Sequence, residues 1–163
     1  MDIQTCHLSQ VFSGYHTPTD KPSVLPTRTP SDHPTLKYTH GAGGNGGGEV
    51  DSFCAKGHYI VKWRLRVGGM VDAIQGQCSD GKWLKKCGGN GGGKWEGALN
   101  VKKIAVRSGS MIDKFGGHGG NGGGRHMLDC GSKYKITGYK SRCGALVDKV
   151  AFQCRVVKSS IKK

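Results

Sequence analysis

No run of about 20 apolar residues occurs anywhere in the 163-residue sequence, so no segment has the length and apolarity of a membrane-spanning helix. The opening MDIQTCHLSQVFSG lacks a basic stretch leading into an apolar one. No secretory leader is therefore visible, and the expectation is a leader already removed, an unconventional export route, or a protein retained inside. Carboxylates are scarce, 11 Asp and Glu against 25 Lys and Arg. No paired-carboxylate, Ser/His/Asp or Cys/His arrangement recurs, so the chain is not expected to be an enzyme. Cys-x-x-Cys is absent and the seven histidines are scattered, which ranks zinc well below disulfides; no metal and no cofactor are expected. Glycine recurs every few residues from 41 onward, which argues against long helices.

Glycine itself is abundant. Its 29 copies far exceed the usual share of about 7%. They follow no period of three, so a collagen-like fibre is excluded. Short runs rich in Val, Ile, Tyr and Trp, punctuated by glycine, predict an all-β fold. All five prolines fall in residues 1–34, read as a Pro/Thr-rich arm, extended or disordered; residues 35–163 are read as a single folded domain. The arm holds two basic and three acidic residues; the other 23 basic and eight acidic residues give the domain +15. Such a surface attracts polyanions, or else its lysines and arginines only solvate the outer faces of strands.

The domain repeats itself. CAKGHYIVKWRLRVGGMVDAIQGQC (54–78), WEGALNVKKIAVRSGSMIDKFGGHG (95–119) and CGSKYKITGYKSRCGALVDKVAFQC (130–154) align on the aspartate of a Gly-x-x-x-Asp turn. Trp63, Ile104 and Tyr139 coincide in this register, as do Val71, Ile112 and Val147, and Ile74, Phe115 and Val150. The alternation is that of a β-hairpin, and three copies predict a closed, pseudo-threefold β architecture. Cys54 and Cys78 are separated by 23 residues, as are Cys130 and Cys154. Trp95 and Gly119 stand at those positions in the middle copy. Loss in pairs predicts two equivalent disulfides, Cys54–Cys78 and Cys130–Cys154. Cys87 and Cys143 each abut a recurrent loop and form a candidate third pair, leaving Cys6 free or available to another chain. Disulfides imply an oxidising, secreted setting.

The recurrent loop is GGNGGG, written verbatim at 43–48, 88–93 and 119–124. Trp95 stands where a phosphate-binding loop needs Ser or Thr, and the other copies lack its lysine. Glycine allows close approach to backbone N–H groups, and Asp72, Asp113 and Asp148 supply acceptors beside them. A sugar, whose vicinal hydroxyls donate and accept at once, is the complementary ligand. One such aspartate alone would read as a turn residue bonded to its own backbone.

The threefold pairing of GG loops with Gly-x-x-x-Asp resembles the jacalin-related lectins, and IAVRSGSMID followed by GGHGGNGGG is similar to algal members with three sugar sites. The resemblance spans about residues 36–157. It implies a β-prism of three four-stranded Greek-key sheets with pseudo-threefold symmetry. It implies sites that join Asp72 to Gly88, Gly89 and Gly91; Asp113 to Gly119, Gly120 and Gly122; and Asp148 to Gly43, Gly44 and Gly46. Backbone N–H groups of Met70, Val71, Ser110, Met111, Ile112, Leu146 and Val147 would complete them. The algal members have tyrosine where Met70, Met111 and Leu146 stand, so a stacking face and a hydroxyl are missing here. Lys94, Arg107, Lys114, Arg125, Arg142 and Lys149 lie beside the sites. The expected function is binding of mannose- or glucose-type glycans, with electrostatic binding of sulfated or acidic glycans as the alternative. Glycans and a second copy of the chain are the partners compatible with the sequence; specific nucleic acid recognition and membrane insertion are not expected.

Overall fold

The computed structural model describes residues 35–98 and 102–156. The proline-rich arm and Cys6 lie outside the described residues. Among the described residues every regular element is a strand. The chain opens with β1 (Leu36–Tyr38), β2 (Ala42–Gly43) and β3 (Gly48–Phe53). It continues through β4 (Ile60–Val67), β5 (Val71–Cys78), β6 (Cys87–Gly88) and β7 (Glu96–Ala98), which form one antiparallel sheet in the order β6-β5-β4-β7. Next, β8 (Lys103–Ser108), β9 (Ile112–Phe115), β10 (His118–Gly119) and β11 (Gly124–Asp129) repeat the pattern as β10-β9-β8-β11. Finally β12 (Lys135–Cys143) and β13 (Val147–Arg155) return to the opening strands, in the order β1-β13-β12-β3 with β2 also on β13.

The last sheet holds five strands by count and four by position, because β1 and β2 pair with opposite ends of the same strand, β13. Each sheet thus follows one plan: a long central hairpin, a two-residue strand from the glycine loop on one side, and the strand after that loop on the other. This is a β-prism, with the expected positions filled in the expected order.

The three sheets meet on an aromatic core. Trp63 of β4 lies at ring-centroid distances of 5.2 Å from Phe115 of β9, 5.4 Å from Tyr139 of β12 and 5.4 Å from Phe152 of β13. The inward positions of all three hairpins, Val71, Ile112 and Val147 together with Ile74, Phe115 and Val150, are fully buried. Alternation along each strand drives this, since every second side chain points to the prism axis.

Three disulfides tie the sheets. Cys54, just after β3, bonds Cys78 on β5; Cys130, just after β11, bonds Cys154 on β13; and Cys87 on β6 bonds Cys143 on β12. The middle copy departs from the register counted back from its aspartate. Its hairpin β8–β9 has six and four residues, against eight and eight for β4–β5 and nine and nine for β12–β13. Gly119 therefore opens the glycine loop, as Gly43 and Gly88 do, and Trp95 precedes β7 on the outer face. Neither occupies a cysteine's place. The middle hairpin ends early, where Gly116 and Gly117 take φ of 59 and 96° and turn the chain into β10.

Candidate functional site

Each central hairpin turns at its Gly-x-x-x-Asp segment in the same way. The N–H groups of Gly68, Gly109 and Gly144 donate to the carbonyls of Met70, Met111 and Leu146 at 3.0, 3.1 and 3.0 Å. Just before each turn the strand register slips by one residue, between Arg66 and Val67, Arg107 and Ser108, and Arg142 and Cys143. A bulge at that point re-aims the side chains that flank the turn.

The glycine loops lie against these turns. The N–H groups of Gly44, Gly89 and Gly120 donate to the carbonyls of Asp148, Asp72 and Asp113 at 2.9, 2.9 and 2.8 Å. The residue before each, Gly43, Gly88 or Gly119, has φ of 101, 108 or 113°. A Cβ there would lie 2.0 Å from Asp148 O, 2.0 Å from Asp72 O or 2.2 Å from Asp113 O, so only glycine fits. Further along, the carboxylates press on the loop backbone. A Cβ on Gly46, Gly91 or Gly122 would lie 2.4, 2.3 or 2.4 Å from the Oδ1 of Asp148, Asp72 or Asp113. The structure thus brings Asp72 to Gly88, Gly89 and Gly91, Asp113 to Gly119, Gly120 and Gly122, and Asp148 to Gly43, Gly44 and Gly46. Asp72 is buried; Asp113 and Asp148 are half-buried. Beside them Ser110 is exposed, Met70, Met111 and Leu146 are half-buried, and Val71, Ile112 and Val147 turn their side chains into the core.

The loops also touch the next copy's turn. Gly44 N–H donates to Ser110 O at 3.2 Å and Gly89 N–H to Ala145 O at 3.2 Å, while a Cβ on Gly120 would meet Gly69 O at 2.2 Å. The three loops and three turns consequently form one ring.

Two sets of basic side chains hold the loops from outside. Arg66 donates to Asn90 O and Gly91 O, each at 2.8 Å; Arg107 to Gly122 O and Gly123 O at 2.9 and 2.8 Å; Arg142 to Gly46 O and Gly47 O at 3.0 and 2.8 Å. The loop asparagine is held by a lysine in every copy: Lys86 Nζ to Asn90 Oδ1 at 2.7 Å, Lys114 Nζ to Asn121 Oδ1 at 2.8 Å and Lys149 Nζ to Asn45 Oδ1 at 3.3 Å. With carbonyls fixed toward the guanidinium, the loop keeps one face for the aspartate. Sequence reasoning picked out Arg107, Lys114, Arg142 and Lys149 by proximity and missed Arg66 and Lys86. The signal for Arg66 was present, since an arginine stands six residues before every aspartate of the turns. Lys86 had none, because it reaches the loop from β6's side while Ala73 occupies the place of Lys114 and Lys149. Lys94 and Arg125 are exposed, with no partner among the described residues. His126 lies 6.5 Å from the ring of His40, and His118 sits on β10.

No protein-family model matches the sequence, and no curated protein matches it. Solved structures do. Malaysian banana lectin is 20% identical with a TM-score of 0.63, over 74% of this chain and 99% of that one. AcmJRL, a mannose-binding jacalin-related lectin from Ananas comosus, is 21% identical with a TM-score of 0.61, over 75% and 99%. A mannose-specific jacalin-related lectin from Morus nigra, solved with mannose, is 17% identical with a TM-score of 0.61, over 78% and 99%. At these identities the likeness establishes the fold.

Proposed function

We propose that the chain is a non-enzymatic, secreted lectin of the jacalin-related kind, binding mannose- or glucose-type glycans through up to three equivalent sites. The observation that carries this reading is the threefold repetition of an aspartate carboxylate set against a glycine-loop backbone. A carboxylate accepts from two adjacent sugar hydroxyls, and backbone N–H groups of the loop and turn donate to others. The fold supports the same reading, because solved structures that share it are described as mannose-binding. Three disulfides support an oxidising, extracellular location.

A reading in which the +15 domain binds sulfated or acidic chains by charge alone has less support. Four of the six bases singled out beside the sites, Arg107, Arg142, Lys114 and Lys149, are spent on loop carbonyls and asparagine oxygens. Their side chains are positioned by the loop, although bonds to neutral oxygens leave the charge itself in place.

Calorimetric titration of mannose, galactose and a sulfated disaccharide, against the native chain and the Asp72→Ala, Asp113→Ala and Asp148→Ala variants, tests both readings. Each substitution is expected to remove one mannose site, weakening it by about tenfold or more through lost charge-assisted hydrogen bonds. Binding should persist at high salt. Unchanged mannose binding in all three variants would sink the site assignment, and binding only of the sulfated sugar, lost with salt, would establish the electrostatic reading.

A further inference from the structure

The threefold plan places a groove on the outer face of the sheet beside each aspartate, and the grooves differ. The position across from the loop-holding arginine is Arg125 opposite Arg107 and Glu49 opposite Arg142, while Trp95 lies against Arg66, its ring centroid 5.9 Å from the guanidinium. One step along, Met127 pairs with Ala105, and Asp51 with Lys140. At the Asp72 site the groove is filled by a stack in which Arg64 lies 4.2 Å from the Trp83 ring centroid and 4.6 Å from that of Trp95. At the Asp148 site a cavity of about 360 Å³ has three cations and two carboxylates in its walls. Glu49 pairs with Arg142 at 3.0 Å and Asp51 with Lys140 at 3.6 Å, so two of the three cations there face a carboxylate, while the third, Lys149, is held by Asn45 Oδ1.

The Asp113 site is different. Its cavity of about 520 Å³ is walled by Arg107, Lys114, Arg125 and His126 and floored by Ala105 and the exposed Met127, with no carboxylate among the lining residues. Lys114 follows Asp113 and Asn121 belongs to its glycine loop, so the groove opens directly from the site. Arg125 is exposed and unpartnered among the described residues.

We propose that this groove is an anion subsite. It takes a carboxylate or sulfate ester on the sugar attached to the one held at Asp113, with Arg125 as the principal cation and the apolar floor beneath the ring. The proposal rests on the lectin reading for the primary sugar and adds a distinction between sites that are otherwise equal: Asp113 selects acidic glycans, Asp148 does not, and at Asp72 the stacked tryptophans close the groove.

The test uses three mannosyl disaccharides, whose second sugar is neutral, carries a carboxylate or carries a sulfate ester. They are titrated into the full chain labelled with ¹⁵N. The amides of Gly122, Gly46 and Gly91 report the Asp113, Asp148 and Asp72 sites separately. At the Gly122 loop, at least one acidic disaccharide should bind about fivefold to tenfold tighter than the neutral one at low salt, as expected for one partly exposed charge pair on a cationic surface. Which acidic probe gains identifies the group. Gly46 and Gly91 should show no gain. Arg125→Glu should abolish the gain while leaving the neutral disaccharide unchanged, and Glu49→Arg should create a gain at Gly46. Equal affinity of acidic and neutral probes at Gly122, or an equal gain at all three loops, would overturn the proposal. Failure of the lectin reading looks different: the neutral disaccharide would then shift none of the loops, while an Arg125-dependent response to the acidic probes alone would leave the groove standing. No response to any probe would remove both.

Discussion

At the scale of single residues, Gly119 and Gly117 separate two demands on glycine. Both have positive φ, 113 and 96°, but a Cβ on Gly119 would meet Asp113 O at 2.2 Å and one on Gly117 would meet nothing within 4 Å. Gly117→Ala should cost roughly 1 kcal/mol from backbone strain alone, and Gly119→Ala roughly 3 kcal/mol with loss of sugar binding at that loop. Denaturant melts and a mannose titration of the two variants check this, and equal costs would refute it. Tyr139 makes a second prediction. Its hydroxyl is buried and donates to Lys85 O. Burial pushes its ionisation well above the ordinary phenol range, against a smaller opposing effect of the Gly76 backbone. The folded state therefore keeps the proton after the unfolded chain begins to lose it near pH 10, and stability is complete below that pH and falls above it. Denaturation midpoints followed from pH 8 to 11 should drop more steeply above 10 in the native chain than in Tyr139→Phe. Much at this scale was legible in the sequence, since aspartates and glycine loops repeat verbatim. The arginines repeat six residues before each aspartate, but their loop-holding role was not legible, because an arginine in an alternating strand looks the same whether it solvates an outer face or holds a loop.

At the scale of elements, the central hairpins could be read because eight or nine residues of alternation carry a period. The two-residue strands β2, β6 and β10 could not, since two residues have none; their place is set by the loop glycines that pair beside each aspartate. The middle hairpin misled the register because counting from one aspartate assumes equal strand lengths. The disulfides act on these elements unequally. Cys87 and Cys143 are 56 residues apart, against 24 for each of the other pairs. By loop entropy, removing the long bridge with Cys87→Ala and Cys143→Ala should cost ~4 kcal/mol, and removing Cys54–Cys78 should cost ~3. Urea titrations of the two double variants give the order, and a larger loss from the shorter bridge would contradict it. Because Cys87 adjoins the loop at 88–93 and Cys143 the turn before Asp148, the first variant should also weaken sugar binding at both of those sites.

At the scale of the whole molecule, the threefold plan was legible and its asymmetry was not. Periodicity places Trp63, Ile104 and Tyr139 alike, yet the outer faces of the three sheets carry a tryptophan stack, a cationic groove and a set of ion pairs. These differences arise across strands, between residues far apart in sequence, and no local pattern announces them. The same holds for the ring in which each loop leans on the next copy's turn.

One consequence concerns time. The Asp72 site is assembled between residues 66 and 92 and the Asp113 site between 107 and 123, each from one hairpin and the loop that follows it. The Asp148 site joins the loop at 43–48 to a hairpin some hundred residues later, because the first and last strands share a sheet. Closing so long a span is slow relative to local pairing. On refolding, the amides of Gly89 and Gly120, bonded to Asp72 O and Asp113 O, should gain exchange protection before that of Gly44, bonded to Asp148 O. Pulse-labelling reads the order directly, and a single shared rate would contradict it. A nascent chain would then carry two of its three sites before its final strand arrives, and the third site would report that folding is complete.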